Sequence, residues 1–253
     1  MTPITAPVLE SIQPIQETQS TDTEIFYPSE DGEPLAETSV HADAIMATVA
    51  VLRNYLAEKF AARSPVVLAD QFLYYAQGFP RLRVAPDVMV IFDIAQKPYD
   101  NYKIWETGKI PSVIFEVTSE STQAHDQTKK QELYESIGVL EYWLFDPKGE
   151  WMPEKLRGYR RQANLPAKAE DLLVYEAIAD GLSQVLELRL EVAGSLINFY
   201  RQDNGEKLLI PSELAAAWQE EIQRAELAEE RARLAEQELQ KLRDRLAALG
   251  VEP

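Results

Sequence analysis

Hydrophobic positions along this chain change period several times, and each change marks an element. Between residues 40 and 62, Ile45, Thr48, Val49, Leu52, Tyr55, Leu56 and Phe60 recur at three- and four-residue spacing, the period of a helix with one apolar face. Ser39 stands before it as a helix N-cap. The pattern then shortens into predicted strands: VVLAD (66–70), QFLYY (71–75) and DVMVIFD (87–93), with Gly78, Pro80 and Pro86 as breaks. Residues 94–110 read as a polar loop with aromatics, and SVIFEVT (112–118) as an apolar, β-branched strand. A helix is predicted over 123–137, capped by Ser121 or Thr122 and stopped by Gly138. EYWLFD (141–146) is the next strand, closed by Pro147 and Gly149.

Strand, helix and strand over 112–146 have the spacing of a crossover between two parallel strands. The short segments KLRGYRR, LLVYEAI, QVLELRLEV and SLINFY follow within 155–200 and predict an antiparallel cap or sheet extension. After IPSEL, residues 212–248 lack Gly and Pro and are dominated by Ala, Glu, Leu, Arg and Gln, the composition of a long exposed helix or coiled coil. Leucines at 227, 234, 239, 242, 246 and 249 keep a heptad only in part, which predicts a short or irregular coiled coil. The expected organisation is therefore a disordered acidic arm (1–36), a mixed α/β core with a central sheet flanked by helices (37–205), and a C-terminal helix (206–253).

Composition narrows the chemistry. The 253 residues contain no cysteine, which excludes disulfides, thiolate metal sites and a catalytic thiol. Two histidines, His41 and His125, argue against a histidine-based zinc site. The N-terminus has no basic segment followed by an apolar run, and no stretch is long enough to span a membrane, so a cytoplasmic location is expected. The net charge of −17 opposes binding to a phosphate backbone. Its placement weakens that objection, since residues 1–43 hold nine acids and no Lys or Arg, whereas residues 63–160 hold 14 acids and 12 bases.

Candidate chemistry lies in that near-neutral middle. Asp87 opens an apolar strand, where it either reaches a cleft at the sheet edge or serves a Pro-Asp turn. Glu116 interrupts the most apolar strand on the same face as Ile114 and Thr118, where a carboxylate needs a cationic partner or a metal ion. Asp126, Lys130 and Tyr134 fall four residues apart on one helix face, either as a solvated pair or as groups aimed at the strand ends. Together they compose a site in which two carboxylates hold a hard divalent ion and an ammonium steadies charge on a phosphoryl group. Arg81 and Arg83 beside Phe79, and Arg157, Arg160 and Arg161 beside Tyr159, are candidate phosphate contacts or simply solvated surface arginines.

The segments PDVMVIFD, PSVIFEVTSEST, DQTKKQELY and IGVLEYWLFDP, in this order, resemble the Uma-two family, a branch of the PD-(D/E)XK nuclease superfamily. The resemblance extends over about 35–200 and takes in the ETSVHADAIMATVAVL and FLYYAQG segments. It implies a restriction-endonuclease-like core, DNA as substrate and Mg2+ (or Mn2+) as cofactor, with Asp87 and Glu116 as metal ligands. The lysine expected at position 118 is replaced by Thr118, so the resemblance assigns its role to Lys130, or to Lys129 if the helix is rotated. Asp126 and Tyr134 belong to the same motif, and Glu37 and His41 match the start of the family's first helix, where an extra acid completes a metal site. A nuclease-fold protein without catalysis, working through its helical tail as a dimer or with a partner bound to residues 212–248, is the alternative that the acidic balance keeps open.

Overall fold

The computed structural model describes residues 25–30, 32, 38–119, 126–162 and 175–249. The first helix, α1 (Ser39–Lys59), buries Ile45, Val49, Leu52, Tyr55 and Leu56, the positions that the three- and four-residue spacing picked out. Its N-cap is Thr38 rather than Ser39, because the Thr38 hydroxyl accepts the backbone N–H of His41 at 3.3 Å and leaves Ser39 as the first helical residue. A short 3-10 turn (Ala61–Arg63) leads to β1 (Val66–Ala69), β2 (Leu73–Tyr74), β3 (Arg83–Val84) and β4 (Val88–Ile91). The segment expected as a polar loop contains β5 (Tyr102–Lys103) and a single helical turn, α2 (Ile104–Thr107). Then come β6 (Val113–Val117), a wide π-helical turn (Asp126–Lys130), α3 (Gln131–Ile137) and β7 (Glu141–Phe145). The predicted caps Ser121 and Thr122 lie outside the described residues.

Two further strands, β8 (Leu156–Arg161) and β9 (Tyr175–Ile178), complete a six-stranded sheet in the order β1-β4-β6-β7-β8-β9. It is mixed. The β6–β7 pair is parallel, as the crossover spacing predicts, and every other pairing in it is antiparallel. The remaining strands, β10 (Leu182–Ser183), β11 (Leu188–Ala193), β12 (Leu196–Arg201) and β13 (Lys207–Leu208), form a second, antiparallel sheet. The segment 155–200 thus both extends the main sheet and builds a separate one. The predicted strand QVLELRLEV begins only at Leu188, because Glu187 takes a positive φ of 55° in the preceding turn. A long helix, α4 (Pro211–Ala248), closes the order.

Alternation along the central strands sends side chains to two cores. Val88, Val90, Val113, Phe115 and Val117 join α1, Leu186 of the turn before β11, and Leu188, Ile197 and Phe199 of the second sheet on one face. Met89, Ile91 and Ile114 point the other way and pack with Leu73, Tyr102, Tyr134 and Tyr142. Gly158 is required by this packing, since a Cβ there would lie 2.5 Å from the Trp143 ring. Burial on both faces explains why these strands read as continuous apolar runs.

Two polar features tie the layers together. Tyr55 donates to the Leu186 carbonyl at 3.1 Å, and burial pushes its phenol up to about 12. Glu141, fully buried, accepts from Arg160 Nε at 3.0 Å, from the Ser183 hydroxyl and from the Gln184 N–H at 2.8 Å. This carboxylate joins β7 and β8 to the start of the second sheet.

Residues 25–30, expected within a disordered arm, pack on the small sheet β3-β2-β5. The Tyr27 ring sits 5.1 Å from both Tyr74 and Trp105, and Tyr74 donates to the Pro28 carbonyl at 2.5 Å. An aromatic residue with a hydroxyl acceptor for the Gly78 N–H gives this stretch a fixed seat.

Candidate functional site

The site forms where β4 begins and β6 ends. One step beyond the Val88–Phe115 pair of the antiparallel β4–β6 ladder, Asp87 stands opposite Glu116. Residues directly opposite share a face and lie close. Asp87 Oδ2 also accepts the backbone N–H of Val117 at 2.6 Å, which pins this carboxylate to the partner strand. His41 Nε2, from the first turn of α1, lies 3.8 Å from the same oxygen.

Glu116 has no exposed surface. Its two oxygens are held from α3 and the turn before it: Lys130 Nζ donates to Oε2 at 2.8 Å, and Tyr134 Oη donates to Oε1 at 2.5 Å. Lys130 and Tyr134 are four apart on one helical face, so a single turn presents both donors to one carboxylate. Burial, and then the negative charge of Glu116, raise the Tyr134 phenol well above its usual range, so Tyr134 is a permanent donor at neutral pH. The Lys130 side chain as a whole is 12% exposed.

Other expected residues take different places. Thr118 is buried in the sheet, its N–H and hydroxyl both directed at the Phe145 carbonyl at 2.7 and 3.3 Å. Lys129 is exposed beside Lys130. Asp126 opens the wide turn, but its side chain lies outside the described residues, as does Glu37. Arg160 is bound to buried Glu141, and Arg157 to Glu154. Arg160 is thus tied into the sheet, whereas Arg157 pairs with Glu154 at the surface.

An open cleft of about 530 Å3 adjoins Lys130 and is lined by Tyr75, Arg83, Val84, Lys129 and Lys130, with no acidic side chain among its described walls. Arg83 is held there over the Phe72 ring, 4.2 Å from its centroid. Sequence reading named Arg83 but gave no role to Tyr75. The FLYY segment was visible only as a strand, and which tyrosine faces the cleft depends on where β2 ends.

The donor chemistry suits a hard divalent ion. Among the described residues no group of three or more His, Asp or Glu comes together. Two facing carboxylates nevertheless match the way Mg2+ is commonly held, with water and substrate phosphate supplying the remaining oxygens. Each carboxylate oxygen has a second lone pair beyond the hydrogen bonds described.

Residues 16–192 match the profile of the family Uma2, described as "Putative restriction endonuclease". The chain belongs to this family. Within the Uma2 match lie the whole constellation of Asp87, Glu116, Lys130 and Tyr134 and the basic cleft beside it. No curated protein matches the chain. Among solved structures, the chain is similar to a "putative nuclease belonging to DUF820" from Anabaena variabilis, at 16% identity and a TM-score of 0.40, over 64% of this chain and 75% of that one. No described helix is long and apolar enough to cross a membrane.

Proposed function

We propose that this Uma2 protein is a Mg2+-dependent endonuclease that hydrolyses DNA phosphodiester bonds, with Asp87 and Glu116 as the metal-holding carboxylates and Lys130 as the essential cation. The observation that carries this reading is Glu116: a carboxylate with no exposed surface, facing Asp87 across two strands and gripped by an ammonium and a phenol. Such a group is costly to bury without a purpose or a partner. A divalent ion bound there would polarise a phosphodiester and lower the pKa of attacking water. The chain's own residues do the rest. Asp87 and Glu116 supply fixed negative charge. Tyr134, kept protonated, holds the Glu116 carboxylate in one orientation. Lys130 sits between that carboxylate and the cleft, where its ammonium orients water or offsets charge gathering on a phosphoryl oxygen. Arg83 and Lys129 line the path along which a phosphate backbone approaches.

The engagement of both Glu116 oxygens supports a second reading, in which the pair is structural and the protein is a catalytically silent binding or scaffold module. One experiment separates the two. Plasmid and linear DNA are incubated with the protein in Mg2+ or Mn2+, and metal binding is measured by calorimetry, for wild type, Asp87→Asn and Glu116→Gln. A nuclease should lose at least about 100-fold in rate and its metal binding in either variant. Cleavage that persists undiminished in Glu116→Gln would overturn the assignment. Folded wild type that neither binds metal nor cuts any substrate would favour the silent module.

A further inference from the structure

The helix α4 buries none of its residues, and its apolar side chains stand in solvent: Trp218 is 71% exposed and Leu242 is 59% exposed. Its leucines alone keep no clean repeat, but its alanines complete one. Taking Leu239, Leu242, Leu246 and Leu249 as successive a and d positions, the same frame runs back through Ala235, Ala232, Ala228 and Ala225, and reaches Trp218 and Leu214 at the start of the helix. Glu221 is the one polar residue in this seam, and Arg224 covers it at 2.5 Å. A sustained seven-residue repeat of apolar positions is the condition for two helices to supercoil.

The flanking positions say which partner fits. In this frame the g positions are Arg224, Arg231 and Glu238, and the e positions five residues on are Glu229, Glu236 and Arg243. In a parallel, in-register pair each g side chain meets the e side chain five residues later on the other helix. All three of these meetings join opposite charges. The antiparallel pairing centred on the same seam joins Arg224 to Glu238 but sets Arg231 against Arg231 and Glu229 against Glu229, so it has fewer attractive meetings and two repulsive ones. We infer that α4 is the dimerisation element of this protein, pairing in parallel with α4 of a second copy, so that both core domains lie at the same end of the coil.

Molar mass in solution tests this on the full chain, independently of any nuclease activity. Wild type at tens of micromolar should give twice the 28.7 kDa of one chain. Arg224→Glu with Arg231→Glu places four like-charge meetings across the seam and should return the mass to that of one chain. Glu229→Arg with Glu236→Arg should do the same, and mixing the two variants should restore the dimer, with helix content by circular dichroism unchanged throughout. Orientation is read by adding Gly-Gly-Cys to the C-terminus of this cysteine-free sequence. Parallel helices should oxidise to a disulfide-linked dimer, whereas antiparallel ends lie about 57 Å apart for 38 helical residues and should not. A wild-type monomer, an assembly larger than a dimer, charge variants that still self-associate, or a dimer that does not crosslink would each overturn the proposal.

Discussion

Removing either partner of the Lys130–Glu116 pair breaks the same contact, but the two losses should differ in size because the partners differ in access to water. At 2.8 Å the gross attraction is about 6 kcal/mol for an effective dielectric of 20, before the cost of desolvation is subtracted. Lys130→Met leaves Glu116 charged, with no exposed surface and without the ammonium that meets its Oε2. Stranding a buried charge in this way costs about 3–5 kcal/mol. Glu116→Gln instead leaves Lys130, whose side chain is 12% exposed and lines an open cleft into which the ammonium can turn. The amide carbonyl introduced by that substitution still accepts from Tyr134, so this loss should be about 1–2 kcal/mol. The double variant should be more stable than Lys130→Met alone, with a coupling of about 2 kcal/mol. Urea unfolding followed by tryptophan fluorescence measures all four proteins. In thermal melts, Lys130→Met should fall by roughly 10 °C for a chain of this size. If Glu116→Gln proves as damaging as Lys130→Met, or the double variant is simply additive, the reasoning from burial fails.

Three other outcomes are expected. Burial pushes the Asp146 carboxyl up, but backbone N–H groups of Trp151, Met152, Gly149 and Glu150 together hold it below its usual value. Its contribution is therefore present above the unfolded pKa near 4 and lost as pH falls through the depressed folded value; Asp146→Asn should destabilise by about 2–3 kcal/mol at pH 7, and the gap to wild type should narrow in acid denaturation. Gly158→Ala drives a methyl into the Trp143 ring, which a neighbouring strand holds in place; a loss of about 1–3 kcal/mol is expected in chemical denaturation, and an unchanged midpoint would refute the contact. If the basic cleft carries the DNA backbone, Arg83→Ala and Lys129→Ala should each weaken DNA binding across all sequences and lower the salt-dependence slope by about one, as read by fluorescence anisotropy in a salt series.

Much of the frame was legible because its strands are long and apolar. Val88–Ile91, Val113–Val117 and Glu141–Phe145 are buried on both faces, so their residues had few options other than a central sheet. The two-residue strands β3, β5, β10 and β13 carry no period at all and emerge only from their partners. In the site, the row of Lys130 and Tyr134 was visible as four-residue spacing, and Glu116 as a charge in an apolar strand. What the residues could not reveal was that both row members converge on one carboxylate, because that depends on how β6 and α3 approach one another. Arg160 was misread for a related reason. Its partner Glu141 opens the EYWLFD strand, and nothing local says that two charged residues 19 apart meet inside the sheet.

The contacts that close the first helix have a bearing on how the protein is made. Tyr55 of α1 reaches Leu186 across 131 residues, and Lys59 reaches Asp203 across 144. A ribosome adding roughly 5–20 residues per second needs about 7 to 30 seconds to travel that distance. Late in that interval α1 and the β4–β6 ladder have been synthesised while the sheet that covers their shared apolar face has not. Until Leu186, Leu188 and Phe199 emerge, that apolar face has no covering sheet, and codon changes that slow translation between α1 and β11 would lengthen its exposure.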